Sequence, residues 1–173
     1  KTFRPNSQHD AAEVFGYILN ELTEVHPEIH QHFGYRLCST IECNQCAQYS
    51  TRYEDGNILQ LQLSTSIAKS ILSLMAEEPL TGLAAFNCPV CDKKVEGVKT
   101  LNFSTAPQFL FLQLMRFVKV EDQVMKKSDK VMCSSKITVA VKRDGCEEIE
   151  QCSYSLVSVV SHIGSYTGGH YTF

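Results

Sequence analysis

Apolar residues recur at helical spacing near the start of the chain. Ala11, Val14, Phe15, Ile18, Leu19, Leu22 and Val25 fall on one face of a 3.6-residue period. Ser7 stands before this run as a candidate cap, with Asp10 three residues on. Pro27 cannot continue a helix and pushes His26 out of helical geometry. The pattern predicts a helix from about Gln8 to about Val25. Leu59, Leu61 and Leu63 then alternate with Gln60 and Gln62, the period of a half-buried strand. A short amphipathic helix follows, with Ile67, Ile71 and Leu74 on one side, Thr65 or Ser66 as its cap, and Pro79 and Gly82 closing it. The last third predicts sheet. Phe109 to Phe117 is nearly all apolar, as in a central strand covered on both faces. Ile137–Val141 and Tyr154–His162 form two more strands, and a polar connection fills the stretch from Val118 to Ser135.

Composition narrows the class. The chain has 173 residues, 43% apolar and 20% charged, enough for one substantial core. No apolar run approaches bilayer length, so no membrane partner is expected. The net charge of −3, from 16 basic and 19 acidic side chains, disfavours nucleic acid. Lys126, Lys127 and Lys130 form a cationic cluster, but Glu121, Asp122 and Asp129 are interspersed, and the stretch reads as a solvated mixed-charge loop.

Eight cysteines change the picture more. Four lie in two Cys-x-x-Cys turns, Cys43–Cys46 and Cys88–Cys91. Each turn brings two sulfurs to one side, so the pair can close a tetrahedral zinc site with no open position, which makes its role structural. The competing readings are four reduced thiols, or a redox pair in one turn, and the latter lacks its usual helix N-terminus. The gap between the turns exceeds that of a compact ribbon, so the intervening strand and helix must pack elsewhere. Cys38, Cys133, Cys146 and Cys152 read as separate thiols. A core-rich chain with metal-spaced cysteines suits a reducing, intracellular setting, the cytoplasm or nucleus.

The chain closes on His162-Ile163-Gly164 and Gly168-Gly169-His170-Tyr171. A lone histidine on a strand is usually no catalyst. The order of features is more telling: Gln8-His9-Asp10-Ala11-Ala12-Glu13, the two cysteine turns, Leu112-Gln113-Leu114-Met115-Arg116-Phe117, Tyr154-Ser155-Leu156, and the histidine–glycine endings. Together they resemble the ubiquitin-specific protease family over essentially the whole chain. Met115, His9 and Val14 depart from the commoner residues of that pattern, as in a divergent member.

The resemblance implies an α+β fold, a papain-like cysteine peptidase with a mostly antiparallel palm sheet. Residues 1–34 would be thumb helix, 35–105 fingers with a zinc ribbon on Cys43, Cys46, Cys88 and Cys91, and 106–173 palm. It implies a hydrolase acting after the C-terminal glycine of ubiquitin, with ubiquitin and ubiquitinated proteins as partners. His170 would be the general base. Asp10, Glu13, His162, Gly169 and Tyr171 would line the substrate tail's path; two carboxylates one turn apart suit a basic extended peptide, and they also suit the helix dipole. The family's nucleophilic cysteine would lie upstream of Lys1 and its third catalytic residue beyond Phe173, so these residues alone are expected to be inactive. The alternatives are a non-catalytic ubiquitin-binding relative and a zinc-ribbon interaction module.

Overall fold

The computed structural model describes residue 3, residues 7–146 and residues 148–173. The first element is helix α1 (Ala11–Val25), followed by a 3-10 turn and the short α2 (His30–Phe33). The helix begins three residues later than its apolar pattern predicts. Asp10, not Ser7, is the N-cap: its carboxylate accepts the Glu13 backbone N–H at 3.0 Å. The Ser7 hydroxyl instead meets His9 Nε2 at 2.9 Å. The predicted apolar face is also only partly used. Leu19 is buried and Phe15 packs on Phe111 with ring centres 4.0 Å apart, whereas Ile18 and Val25 are 49% and 72% exposed.

Strands β1 (Tyr35–Cys43) and β2 (Tyr49–Gly56) form a long hairpin, and β3 (Ile58–Leu61) leads to helix α3 (Ile67–Leu74). Ser66 caps α3 by accepting the Lys69 N–H at 3.2 Å. The helix ends well before Pro79, which lies in β4 (Glu78–Leu80). A small hairpin of β5 (Phe86–Cys88) and β6 (Lys93–Val95) precedes the long β7 (Gly97–Thr105). Then come β8 (Phe111–Leu114), β9 (Phe117–Val120), β10 (Gln123–Lys126), β11 (Lys136–Lys142), β12 (Ile149–Ser155), β13 (Ser161–Ser165) and β14 (Gly168–Thr172).

The main sheet has the order β12-β11-β7-β1-β2, with β4 also on β7. All its pairings are antiparallel except β7 with β11. Leu37, Phe103, Val139 and Val141 of this sheet pack with Leu59, Leu61, Ile67 and Ile71 into one core. Phe103 and Leu61 are fully buried at its centre.

Three expectations for the last third need correction. The Phe109–Phe117 run is not one covered central strand: β8 is four half-buried residues pairing in parallel with β3, and the chain turns at Met115 and Arg116 before β9. The Val118–Ser135 stretch is not merely a polar connection, because its first part is the β9–β10 hairpin. Tyr154–His162 is split in two. Strand β12 leaves the sheet after Ser155, where the Leu156 N–H turns to the Ser135 carbonyl at 2.8 Å, and β13 restarts at Ser161. Apolar periodicity reports which residues are sheet-like, but strand ends are set by where a partner backbone stops.

Candidate active site and metal centre

The β13–β14 hairpin carries the histidines. Its register sets His162 opposite Tyr171, Ile163 opposite His170, and Gly164 opposite Gly169. Side chains alternate across a strand, so His162, Gly169 and Tyr171 share one face and His170 projects from the other. The His162 and Tyr171 rings lie 4.8 Å apart, and Phe117 of β9 meets the His162 ring edge-on at 5.9 Å. The His170 imidazole is exposed and makes no hydrogen bond among the described residues.

Two glycines here are required by contact and by conformation. A Cβ on Gly169 would fall on the Ile163 carbonyl oxygen and on His162 Nε2. Gly164 has φ +124°, a region side chains rarely adopt, and its Cβ would meet the Gly168 carbonyl oxygen at 2.6 Å. Gly169 therefore accommodates an imidazole of its own hairpin, a reason its sequence did not supply.

The start of α1 reaches this hairpin through one side chain. Gln8 Nε2 donates to the Gly169 carbonyl at 2.6 Å, and the Gly169 N–H donates to Gln8 Oε1 at 2.9 Å. The amide thus acts as a short piece of strand, satisfying both backbone groups of the residue before His170. Gln8 lies outside the helix while it makes this pair; the backbone is extended at the cap Asp10, and α1 begins at Ala11. The pair brings the Asp10–Glu13 turn to the same end of the molecule as His162, Gly169, His170 and Tyr171.

Lys126 is a functional-site neighbour that charge patterning misassigned. Lys126 is not in a solvated loop. It ends β10, and its ammonium reaches His162 Nδ1 at 3.0 Å, the His162 carbonyl at 2.7 Å and the Gly164 carbonyl at 3.0 Å. Arg116 secures the stretch that follows, donating to the carbonyls of Lys127 and Asp129 at 3.2 and 2.9 Å. Only Phe117, apolar and next to Arg116, hinted in the sequence that this stretch packs inward.

The two cysteine turns are repeated structures. The Ala47 N–H donates to the Cys43 carbonyl at 2.8 Å, and the Asp92 N–H to the Cys88 carbonyl at 2.9 Å. Ala47 and Asp92 both take left-handed φ, 53° and 51°. Each turn also points an N–H at its first sulfur, from Gln45 to Cys43 at 3.4 Å and from Cys91 to Cys88 at 3.5 Å. All four sulfurs lie within 4.8 Å of one another. Cys43 and Cys91 are 3.9 Å apart, and Cys46 and Cys88 are 3.7 Å. A tetrahedron of Zn–S bonds of about 2.3 Å has edges of about 3.8 Å, so the cluster fits a metal ion of that size. Backbone N–H donors, that of Cys46 foremost, lower the Cys43 thiol to about 7, while burial chiefly pushes Cys91 up to about 12. Four adjacent thiolates need a cation to ionise together. Phe86 and Val95 pack around the cluster. No helix of the described residues is long and apolar enough to cross a membrane.

The sequence model of the family described as "Ubiquitin carboxyl-terminal hydrolase" matches residues 1–173. The probable ubiquitin carboxyl-terminal hydrolase 9 of Schizosaccharomyces pombe is 29% identical over 191 residues, covering 99% of this chain and 32% of that protein. The human Ubl carboxyl-terminal hydrolase 18 is 27% identical over 183 residues, covering 95% and 49% respectively. The chain therefore spans half or less of these relatives. The SAGA DUB module of Ubp8, Sgf11, Sus1 and Sgf73, solved with ubiquitin aldehyde, matches with a TM-score of 0.82 at 24% identity, over 95% of this chain and 41% of that one. The α+β architecture is shared with that structure.

Proposed function

Because the chain belongs to the ubiquitin carboxyl-terminal hydrolase family, we propose that it forms the later part of a thiol-dependent deubiquitinating catalytic domain. On this reading residues 1–34 belong to the thumb, 35–105 to the fingers and 106–173 to the palm. The parent protein cleaves the isopeptide or peptide bond after the ubiquitin C-terminal glycine.

His170 is the general base. It takes the proton of a cysteine thiol supplied from outside these 173 residues, and the thiolate attacks the glycine carbonyl. As the C–N bond breaks, the same imidazole returns the proton to the leaving amine. Water then hydrolyses the thioester. His170 projects from the hairpin with no hydrogen-bond partner among the described residues, as suits a base awaiting a thiol. Asp10 and Glu13 offer negative charge to the basic, extended tail of the substrate, and His162, Gly169 and Tyr171 border its path. Asp10 does this while one of its oxygens caps α1, so the two roles coexist.

The observation that carries this reading is the Gln8–Gly169 pair. It ties the acidic helix start to the residue preceding His170, the juxtaposition that a peptide channel between them requires. The four-cysteine cluster, on this reading, holds one structural zinc that fixes the tip of the fingers. Eight cysteines with no disulfide among them suit a reducing intracellular compartment, the cytoplasm or nucleus.

Hydrolysis of a ubiquitin C-terminal conjugate by the full-length protein tests the proposal. His170→Ala abolishes turnover with an unchanged melting temperature. Unaltered turnover in that variant removes His170 from the mechanism, and a wild type that binds ubiquitin without turnover supports the non-catalytic alternative instead.

A further inference from the structure

An ammonium group has three donors and no acceptor. Lys126 directs its three at His162 Nδ1, the His162 carbonyl and the Gly164 carbonyl, all within 3.0 Å. None of these acceptors is a carboxylate. The chain thus commits a charged side chain to the backbone and ring of one hairpin strand, a use that no ion-pair tally would reveal. Because the ammonium can only donate, Nδ1 is the acceptor and the ring proton resides on Nε2. That nitrogen lies where a Cβ of residue 169 would stand, and it has no hydrogen-bond partner among the described residues. The ring is half-buried and cannot turn freely: Tyr171 and Phe117 flank it, and Lys126 holds its far side.

We propose that Lys126 is a positioning residue for substrate binding, holding His162 in the tautomer that presents an Nε2–H donor beside Gly169. The acceptor is a backbone carbonyl of an extended peptide that passes His162 Nε2 at Gly169 on its way to His170, so the proposal rests on the deubiquitinating reading above. The ammonium behind Nδ1 also polarises the ring, strengthening the donor at Nε2. Its two carbonyl contacts brace Gly164, the residue opposite Gly169, and so hold the donor and the glycine in one register.

The test uses the full-length protein with 15N-labelled histidine. In the wild type His162 shows a single Nε2–H tautomer by its nitrogen shifts. A ring protonated at Nδ1 alone overturns the proposal without any activity measurement and without any variant. Lys126→Met removes all three donors at nearly constant volume; a mixture of tautomers appears, and KM for a fluorogenic ubiquitin C-terminal amide rises about tenfold, the loss expected of one buried hydrogen bond. Its kcat stays within about twofold, because the lost contact is made equally in ground and transition states. Lys126→Arg restores donors and brings KM back towards the wild-type value. A Met variant with unchanged KM, or one in which only kcat falls, refutes the positioning role. A wild type with the expected tautomer but no turnover overturns the deubiquitinating reading; Lys126→Met must then weaken ubiquitin binding by calorimetry, or the proposal fails too.

Discussion

Replacing Gly169 by alanine adds one methyl group to space that is already occupied. The new Cβ would fall on the Ile163 carbonyl oxygen and His162 Nε2, with His162 Cε1 at 2.9 Å. The carbonyl belongs to the hairpin and cannot withdraw without opening the β13–β14 pairing. The imidazole cannot swing aside without leaving Lys126, which holds Nδ1 at 3.0 Å, and the Tyr171 ring at 4.8 Å. Gly169 has no left-handed φ, so alanine suffers no backbone strain and the whole cost is overpacking. Overpacking costs about 1–3 kcal/mol, and a clash with backbone puts this site in the upper half of that range. At about 2–4 °C per kcal/mol for a domain of this size, the melting temperature falls by about 4–12 °C. The adjacent glycine is the control. Among the described residues, a Cβ on Gly168 meets only Gln8 Oε1, at 3.4 Å, an ordinary contact with a side chain that can adjust. Gly168→Ala therefore shifts the melting temperature by no more than about 2 °C, the range of exposed substitutions. Differential scanning calorimetry of the two variants decides the matter. Equal melting temperatures would refute the reasoning, since the two glycines then differ in sequence position and not in what surrounds them.

Two further outcomes follow from the site. Gln8→Ala removes both bonds to Gly169 while leaving Asp10 and the cap intact; with about 0.5–1.5 kcal/mol for each bond, kcat/KM falls roughly tenfold, and an unchanged value would deny the link between helix start and histidine hairpin. The protein binds close to one zinc per chain by mass spectrometry under native conditions, and Cys43→Ser or Cys91→Ser loses it together with protease resistance of the β5–β6 hairpin; a folded, metal-free wild type would count against the centre.

The features legible from the sequence are those closed over a few residues. Each Cys-x-x-Cys turn builds itself, through N–H bonds from Ala47 to Cys43 and from Asp92 to Cys88, so spacing alone predicted two sulfurs on one side of each turn. The alternation of Leu59 and Leu61 marked a strand, and Ser66 marked the start of α3, because period and cap are local hydrogen-bond and burial rules. The histidine endings acquired meaning only from their order among the other motifs, which is a resemblance and not a derivation.

Tertiary structure decided the rest. Ser7 and Asp10 are both good caps by residue type; Asp10 prevails because Gln8, between them, is drawn out to a backbone partner 161 residues away. The run from Phe109 to Phe117 breaks because β3 offers partners only as far as Leu61. Lys126 looks like any lysine in a mixed-charge stretch, and its acceptors are mostly main-chain carbonyls, which every residue carries. A polar side chain that binds backbone leaves no complementary residue type in the sequence to betray it. Which strand passes within its reach is fixed only when the chain has folded.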